Sequence, residues 1–277
     1  YLCLEQRVSA ILPYLVAGRV IEDYGLSKLD AGGVAGHVDG HLREFQRYQR
    51  EDGGYGLWPE SRRSSPFLTC YAVFGLIKAR QAGYSIEGLG LESAASYLKR
   101  LLREKYDPAR GFYDQAVWNT IQAYALYDLA LLDKPEPAYA EKLFNDRARL
   151  SVFGKTLLLK ALHRGRGAVS AREALVQDLM NKAKLTPSQA HFEDEEGRGG
   201  AWIYASTTRT TALILQSLLE TGRSHPLAAP VARWLVEKAK MSARLSTQEN
   251  FYLFYALNEY ARASETAGSG VRYRIRL

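Results

Sequence analysis

The chain has 277 residues, 47% of them hydrophobic and 24% charged, which is an ordinary globular composition with enough chain for a large core. Its net charge of +7 comes from Lys and Arg spread along polar helix faces. Even the densest cluster, Arg43, Arg47 and Arg50, has helical spacing, so it reads as a solvated face rather than a nucleic-acid footprint. Two cysteines, Cys3 and Cys70, exclude a disulfide framework and a multi-cysteine zinc site, and no apolar run is long enough to span a bilayer.

In chain order the periodicity is helical almost throughout. The first helix runs from Leu4 to about Tyr24, with Pro13 expected to kink or split it. Others are predicted over Gly33–Glu51, Pro66–Ala82, Leu91–Glu104, Ala116–Leu132, Pro137–Arg147 and Leu150–His163. The last four are Ser170–Lys184, Thr207–Thr221, Leu227–Lys240 and Thr247–Ala263. Ser65 before Pro66 is an N-cap followed by an N1 proline, and Gly83 is a C′ glycine. Ser246 and Thr247 are cap candidates with Gln248 and Glu249 in the first turn.

Glycine-aromatic loops recur before alternate helices: Asp52-Gly53-Gly54-Tyr55-Gly56-Leu57-Trp58-Pro59, Arg110-Gly111-Phe112-Tyr113-Asp114, and Gly199-Gly200-Ala201-Trp202-Ile203-Tyr204. The helices opening near residues 4, 66, 116, 151, 207 and 247 are apolar over most of their circumference, and those between them are amphipathic. An irregular repeat of two helices predicts a helical-hairpin array. Six apolar helices alternating with polar-faced ones predict an all-α domain, an (α/α)6 toroid over residues 1–267, with an open solenoid as the competing arrangement. Eleven helices are legible, which leaves the twelfth short, missing or supplied by neighbouring chain.

After Gly268-Ser269-Gly270, the segment Val271-Arg272-Tyr273-Arg274-Ile275-Arg276-Leu277 alternates strictly. Residues 268–277 therefore read as a linker and a short C-terminal strand of an adjoining β domain, since one strand cannot stand alone. No signal peptide is visible, and the chain opens directly on Tyr1-Leu2-Cys3-Leu4-Glu5-Gln6, so a fragment of a longer protein is expected.

Cys3 and Gln6 put a thiol and a carboxamide three positions apart at a helix start, where side chains at i and i+3 meet on one face. A thiolate held against the Gln6 carbonyl could displace ammonia and leave a cyclic thioester. The positive end of the helix is expected to favour the thiolate. Such a bond must be kept dry. If the inner helices are parallel, their N-terminal loops share one rim, which would gather Tyr55, Trp58, Phe112, Tyr113, Trp202 and Tyr204 around the pair.

The string Tyr1-Leu2-Cys3-Leu4-Glu5-Gln6 resembles the thioester motif of bacterial alpha-2-macroglobulins. The resemblance continues through Asp52–Pro59, Ser65-Pro66-Phe67-Leu68-Thr69-Cys70-Tyr71-Ala72 and Ser246-Thr247-Gln248-Glu249-Asn250, and so reaches from residue 3 to about 263. It implies the thioester domain of a broad-spectrum protease inhibitor, an (α/α)6 toroid. Protease cleavage elsewhere in a long parent chain would expose the bond, and a lysine amine of the attacking protease would be acylated. Glu5 belongs to the motif without a role legible in the sequence, and Tyr1 is a further shield. Leu2 stands where the family commonly carries glycine. No histidine follows the second glycine-aromatic loop, which implies direct attack by amines rather than transfer to hydroxyls. The resemblance also implies neighbouring domains, a periplasmic setting with the parent anchored to the inner membrane, and no metal or organic cofactor.

Other constellations are weaker. His37 and His41 lie at i and i+4 but lack a third ligand, so exposed or satisfied histidines are expected. The run Glu193-Asp194-Glu195-Glu196 reads as a solvated acidic loop. Toroids also carry enzymes. The Asp-x-Asp-Asp acid of terpene cyclases and the Asp-x-Cys zinc site of prenyltransferases are both missing, while a glycosidase pair of carboxylates stays open. The expectation is therefore a covalent trap, not a turnover enzyme.

Overall fold

The computed structural model describes residues 2–23, 33–108, 113–194, 200–220, 225–241 and 245–267. Among them are eleven α-helices: α1 (Leu4–Asp23), α2 (Gly33–Leu42), α3 (Pro66–Gln81), α4 (Leu91–Arg103), α5 (Gln115–Leu131), α6 (Pro137–Asn145), α7 (Val152–Arg164), α8 (Val169–Met180), α9 (Thr207–Glu220), α10 (Ala228–Met241) and α11 (Thr247–Ala267). The predicted strand at residues 271–277 lies outside the described residues.

The odd-numbered helices touch in a closed cycle, α1 to α3, α5, α7, α9 and α11 and back to α1. The even-numbered helices lie outside this ring, each against an inner neighbour. The molecule is thus an α/α toroid, and the ring closes rather than running on as a solenoid. Burial follows the two classes. In α3 the core claims successive residues from Phe67 to Ile77, whereas α4 buries only the stripe Leu91, Ala94, Ala95, Leu98, Leu101 and Leu102. An inner helix has neighbours on all sides, so its sequence carries apolar residues all round.

Local signals set most helix starts. Ser65 accepts from the Leu68 N–H before Pro66, Asp114 accepts from Val117, and Ser151 accepts from Gly154. At α11 the Ser246 hydroxyl takes the Glu249 N–H and the Glu249 carboxylate takes the Ser246 N–H, a full capping box.

Four expectations need correction. Pro13 does not split α1, which runs unbroken for 20 residues. The helix predicted over Gly33–Glu51 stops at Leu42 and gives way to a 3-10 turn, Phe45–Tyr48, because the following loop needs an extended edge for the Gln49–Tyr55 bridge. The helix predicted to Lys184 ends at Met180, and a short antiparallel hairpin follows, β1 (Ala183–Leu185) with β2 (Ala190–Phe192). Finally, Arg50 is no solvated helix residue. Its guanidinium donates to the Pro59 and Ser61 carbonyls at 2.9 Å and to the Tyr48 carbonyl at 3.2 Å, so it clamps the first glycine-aromatic loop.

Candidate functional site

Cys3 is the last residue before α1 and Gln6 lies in its first turn. The Gln6 side chain folds back, and its Oε1 accepts the Cys3 backbone N–H at 3.1 Å. The Cys3 sulfur in turn faces the Gln6 N–H. This is the reciprocal geometry of a capping box, with cysteine in the place of serine. The bond that satisfies the Cys3 N–H also folds the Gln6 carboxamide back over the helix start. The Cys3 N–H that holds Oε1 is moreover a donor aimed at the oxygen on which charge develops when the carbonyl is attacked.

Three contacts fix the entry of α1. The Leu4 N–H donates to the Leu57 carbonyl at 3.0 Å, which joins the pair to the first glycine-aromatic loop. The Tyr48 hydroxyl donates to the Leu2 carbonyl at 2.6 Å. Arg7 Nε donates to that hydroxyl at 2.9 Å and its guanidinium pairs with Glu44 at 3.4 Å. Tyr48 is a functional-site residue that the sequence reading missed. Its only signal is an aromatic placed just ahead of the Asp-Gly-Gly loop. Leu2, in the position where glycine is common, is accommodated with its side chain 38% exposed.

Glu5 points the other way, into the ring. It is buried, and its Oε1 accepts the hydroxyls of Ser9 and Thr247, each at 2.7 Å. The Thr247 contact joins the first inner helix to the last. The rest of the Ser-Thr-Gln-Glu string is equally engaged: Gln248 accepts from Arg209 at 3.1 Å and Glu249 accepts from Ser206 at 2.6 Å. Burial works to raise the Glu249 carboxyl, but hydrogen bonds from Ser206, Ser246 and Thr208 outweigh it and hold the group below its ordinary value.

Arg209 fills the middle of the ring with no exposed surface. Its guanidinium stacks on Phe153 at 3.8 Å, donates to the Ile203 carbonyl at 2.5 Å, and lies 3.8 Å from the Asp194 carboxylate. Asp194 therefore departs from the solvated acidic run expected for it: it is buried and also takes the Thr210 hydroxyl at 3.1 Å. Burial pushes its carboxyl up, against the pull of Arg209. Glu193 does stay at the surface and pairs with Lys184, while Glu195 and Glu196 lie outside the described residues.

Electrostatics at Cys3 also differ from the expectation. Burial raises the thiol above its ordinary value, and the neighbouring Glu5 charge adds to this. The helix N–H of Gln6 pulls the other way, as a helix start should, but loses to desolvation.

The predicted shielding residues divide. Tyr204 belongs to the site: burial lifts its hydroxyl to about 12, the charges of Glu5 and Cys3 contribute, and its ring lies 6.0 Å from Phe67. It adopts φ 53°, a left-handed backbone unusual for a tyrosine. Tyr113 is near Tyr204, and burial raises its hydroxyl against the pull of nearby Ser65. Both line a cleft of 1640 Å³ with Leu57, Tyr97 and Trp118. Trp58 lies in the loop beside Leu4 but is 41% exposed, so it covers little. Tyr55 is a correction. It is fully buried, its hydroxyl donates to the Leu89 carbonyl at 2.6 Å, and its ring packs on Phe45, so it supports the loop from below. The Asp52-Gly53-Gly54 corner explains the turn: Gly53 has φ 85° and a Cβ there would meet the Ser93 carbonyl oxygen at 2.4 Å. Tyr1, Phe112 and the Trp202 side chain lie outside the described residues.

The His37 and His41 rings lie 4.7 Å apart and tilted to one another; a His37 ring nitrogen hydrogen-bonds with the Ala10 carbonyl at 3.3 Å, whereas His41 Nδ1 is buried without a hydrogen-bond partner, so only His37 is the satisfied histidine expected. Among the described residues no cluster of three or more His, Cys, Asp or Glu could hold a metal ion, and no helix is long and apolar enough to cross a membrane.

The chain is thus a closed α/α toroid that carries a cysteine and a glutamine folded onto one another at its rim. The chain is a homologue of the bacterial alpha-2-macroglobulins. It is 27% identical to Escherichia coli alpha-2-macroglobulin over 267 residues, which is 92% of this chain and 15% of that protein. It is 31% identical to an alpha-2-macroglobulin homolog of Yersinia pestis over 131 residues, covering 47% of this chain and 6% of that protein. Among solved structures it matches a mutant of Salmonella alpha-2-macroglobulin with TM-score 0.79 and 28% identity, over 94% of this chain and 16% of that one. Salmonella alpha-2-macroglobulin reacted with methylamine matches with TM-score 0.78 and 28% identity, over 93% and 16%. Trypsin-activated Escherichia coli alpha-2-macroglobulin matches with TM-score 0.76 and 25% identity, over 92% and 17%. No family model matches the chain. The chain thus spans about 15% of the length of its curated Escherichia coli relative.

Proposed function

We propose that Cys3 and Gln6 form an internal thioester and that this domain serves a longer, alpha-2-macroglobulin-like protein that traps proteases covalently. The observation that carries the reading is the fold-back of Gln6, whose Oε1 accepts from the Cys3 N–H at 3.1 Å. In bond formation the Cys3 sulfur adds to the Gln6 acyl carbon and ammonia leaves, while Oε1 stays as the thioester oxygen on the same N–H donor. A lysine amine of an attacking protease then takes the acyl group and frees the Cys3 thiol. One acyl transfer per chain makes this a trap and not a turnover catalyst.

Relatives support the amine and protease parts of this reading. A Salmonella structure is of protein reacted with methylamine, and Escherichia coli structures are of protein activated by trypsin and by porcine elastase. Tyr204 lies near Cys3 and would shield the pair, and neighbouring parts of the parent would cover the exposed Leu2 and Trp58. Residues 1–267 form the thioester domain, with 268–277 leading into an adjoining β domain. The parent works in the periplasm, anchored to the inner membrane, and this domain uses no cofactor.

Intact-mass measurement of the native chain tests the reading. A chain lighter than its sequence by one ammonia, which takes up one methylamine at Gln6 and releases one thiol at Cys3, supports it. Full sequence mass with no methylamine uptake sinks it.

A further inference from the structure

The peptide that joins Leu2 to Cys3 is held at both of its polar groups. Its carbonyl, on Leu2, accepts the Tyr48 hydroxyl at 2.6 Å, and its N–H, on Cys3, donates to Gln6 Oε1 at 3.1 Å. The peptide is trans and planar, so the two groups point in opposite directions as one rigid unit. The donor that fixes the Leu2 carbonyl therefore also aims the Cys3 N–H at Gln6. On the far side of Cys3, the Leu4 N–H donates to the Leu57 carbonyl at 3.0 Å. Cys3 is thus bracketed by two bonds. Both partners belong to the segment between α2 and α3, Tyr48 on its entering limb and Leu57 on its returning limb.

Arg50 joins those limbs. Its Nε donates to the Tyr48 carbonyl at 3.2 Å and its Nη2 to the Arg47 carbonyl at 2.5 Å, both on the entering limb. Its Nη1 donates to the Pro59 and Ser61 carbonyls, each at 2.9 Å, on the returning limb. The Arg50 N–H also donates to the Gly54 carbonyl at 2.8 Å, and the Gly56 N–H donates to the Tyr48 carbonyl at 2.9 Å, so the loop folds around this one residue. A guanidinium can make such a set of bonds because its donors lie in a rigid planar fork, whereas a lysine ammonium is a single point on a flexible stem. None of these bonds reaches residues 3–6, so any influence of Arg50 on the reactive pair passes through Tyr48 and Leu57.

We propose that Arg50 is a positioning residue for the Cys3–Gln6 bond, a role that rests on the thioester reading above. With the two limbs held at a fixed separation, the Leu2–Cys3 peptide presents its N–H to the Gln6 carbonyl oxygen. Charge develops on that oxygen when the Cys3 sulfur adds to the acyl carbon, and again when an amine does. Without the fork the limbs separate, the peptide plane turns and the donor leaves the oxygen. No atom of Arg50 enters the reaction.

The test compares the native chain with Arg50→Lys, Tyr48→Phe and the double variant. Intact mass gives the fraction of each that lacks one ammonia. Methylamine uptake is then timed only on chains that carry the bond, so loss of folded protein does not enter the rate. Arg50→Lys should react about 10-fold more slowly than the native chain. Because Arg50 acts in part through Tyr48, adding Tyr48→Phe to Arg50→Lys should slow the reaction by less than Tyr48→Phe does alone. A merely structural clamp would lower stability to urea and leave the rate per bonded chain unmoved. That result overturns the proposal while the thioester reading stands, and so do two effects that simply multiply. A native chain at full sequence mass overturns both. If Arg50→Lys does not fold or forms no bond, backbone hydrogen exchange in the native chain decides. Leu4 and Gly56 N–H groups that open in step as urea rises support the role, and a Leu4 N–H that opens before the loop refutes it.

Discussion

The two ends of the toroid solve the same problem differently. At the rim that holds Cys3, buried polar groups are tied mostly by hydroxyls and backbone, as in Thr247 to Glu5, Tyr48 to Leu2 and Leu57 to Leu4. At the opposite end, where the inner helices finish, charges face each other. Lys160 pairs with Glu220 at 2.5 Å, and Lys78 donates to the Tyr255 hydroxyl at 2.8 Å, with Glu259 close by. Helix starts present N–H groups that side chains can satisfy without formal charge, and the C-terminal ends favour lysines. The rim of helix starts also carries two ion pairs, Arg7 with Glu44 and Arg209 with Asp194, but leaves Cys3 and Gln6 folded on one another with no charge between them.

Four changes test this contrast. The largest effect belongs to Arg209→Met. It strips Asp194 of its cation and the Ile203 carbonyl of its donor, and should cost about 3–5 kcal/mol by chemical denaturation. A variant as stable as the parent would reduce Arg209 to packing. Thr247→Val removes the bond that joins α11 to Glu5. A shift of the urea midpoint worth about 1.5 kcal/mol at unchanged m-value is expected, and an unmoved midpoint would show that the ring closes without this bond.

Tyr48→Phe should cost about 1 kcal/mol, since one hydroxyl that both donates and accepts is lost. Its sharper readout is mass: the fraction of chains lacking one ammonia should fall, because the Leu2–Cys3 peptide is no longer pinned. An unaltered fraction would show the Gln6 fold-back to be self-sufficient.

The smallest effect is a pH slope at the charged end. Burial and then the charge of Lys160 lower Lys78 from 10.5 to about 8. Between those values the unfolded chain holds more protons at this residue than the native one, so its contribution to stability rises with pH from about 8. The buried Cys70 thiol and the buried tyrosines work in the opposite sense above their ordinary values of 9.0 and 10.0, so the window to examine ends at about 9. Lys78→Met should flatten the slope between these limits, and a slope that persists would assign it elsewhere.

Helix number and the division into apolar and amphipathic classes were legible as pattern, because burial on all sides writes itself into every position of a helix. Cap signals at Ser65 and Ser246 were equally plain, being local chemistry. Tyr55, Arg50 and Asp194 were misread for one reason. Each looks like a surface or rim residue in its own segment, and each is claimed by a partner far along the chain: Leu89 for Tyr55, the Pro59 and Ser61 carbonyls for Arg50, Arg209 for Asp194.

The sequence by itself determined that Cys3 and Gln6 meet, since a helix start brings i and i+3 together wherever it is placed. It also determined a two-class helical repeat. Tertiary structure alone decided that the repeat closes, that Glu5 is held by Thr247 at the seam of the ring, and that burial, not the helix dipole, sets the basicity of the Cys3 sulfur. Those outcomes depend on which distant groups exclude water and supply donors, and spacing along the chain carries no record of that.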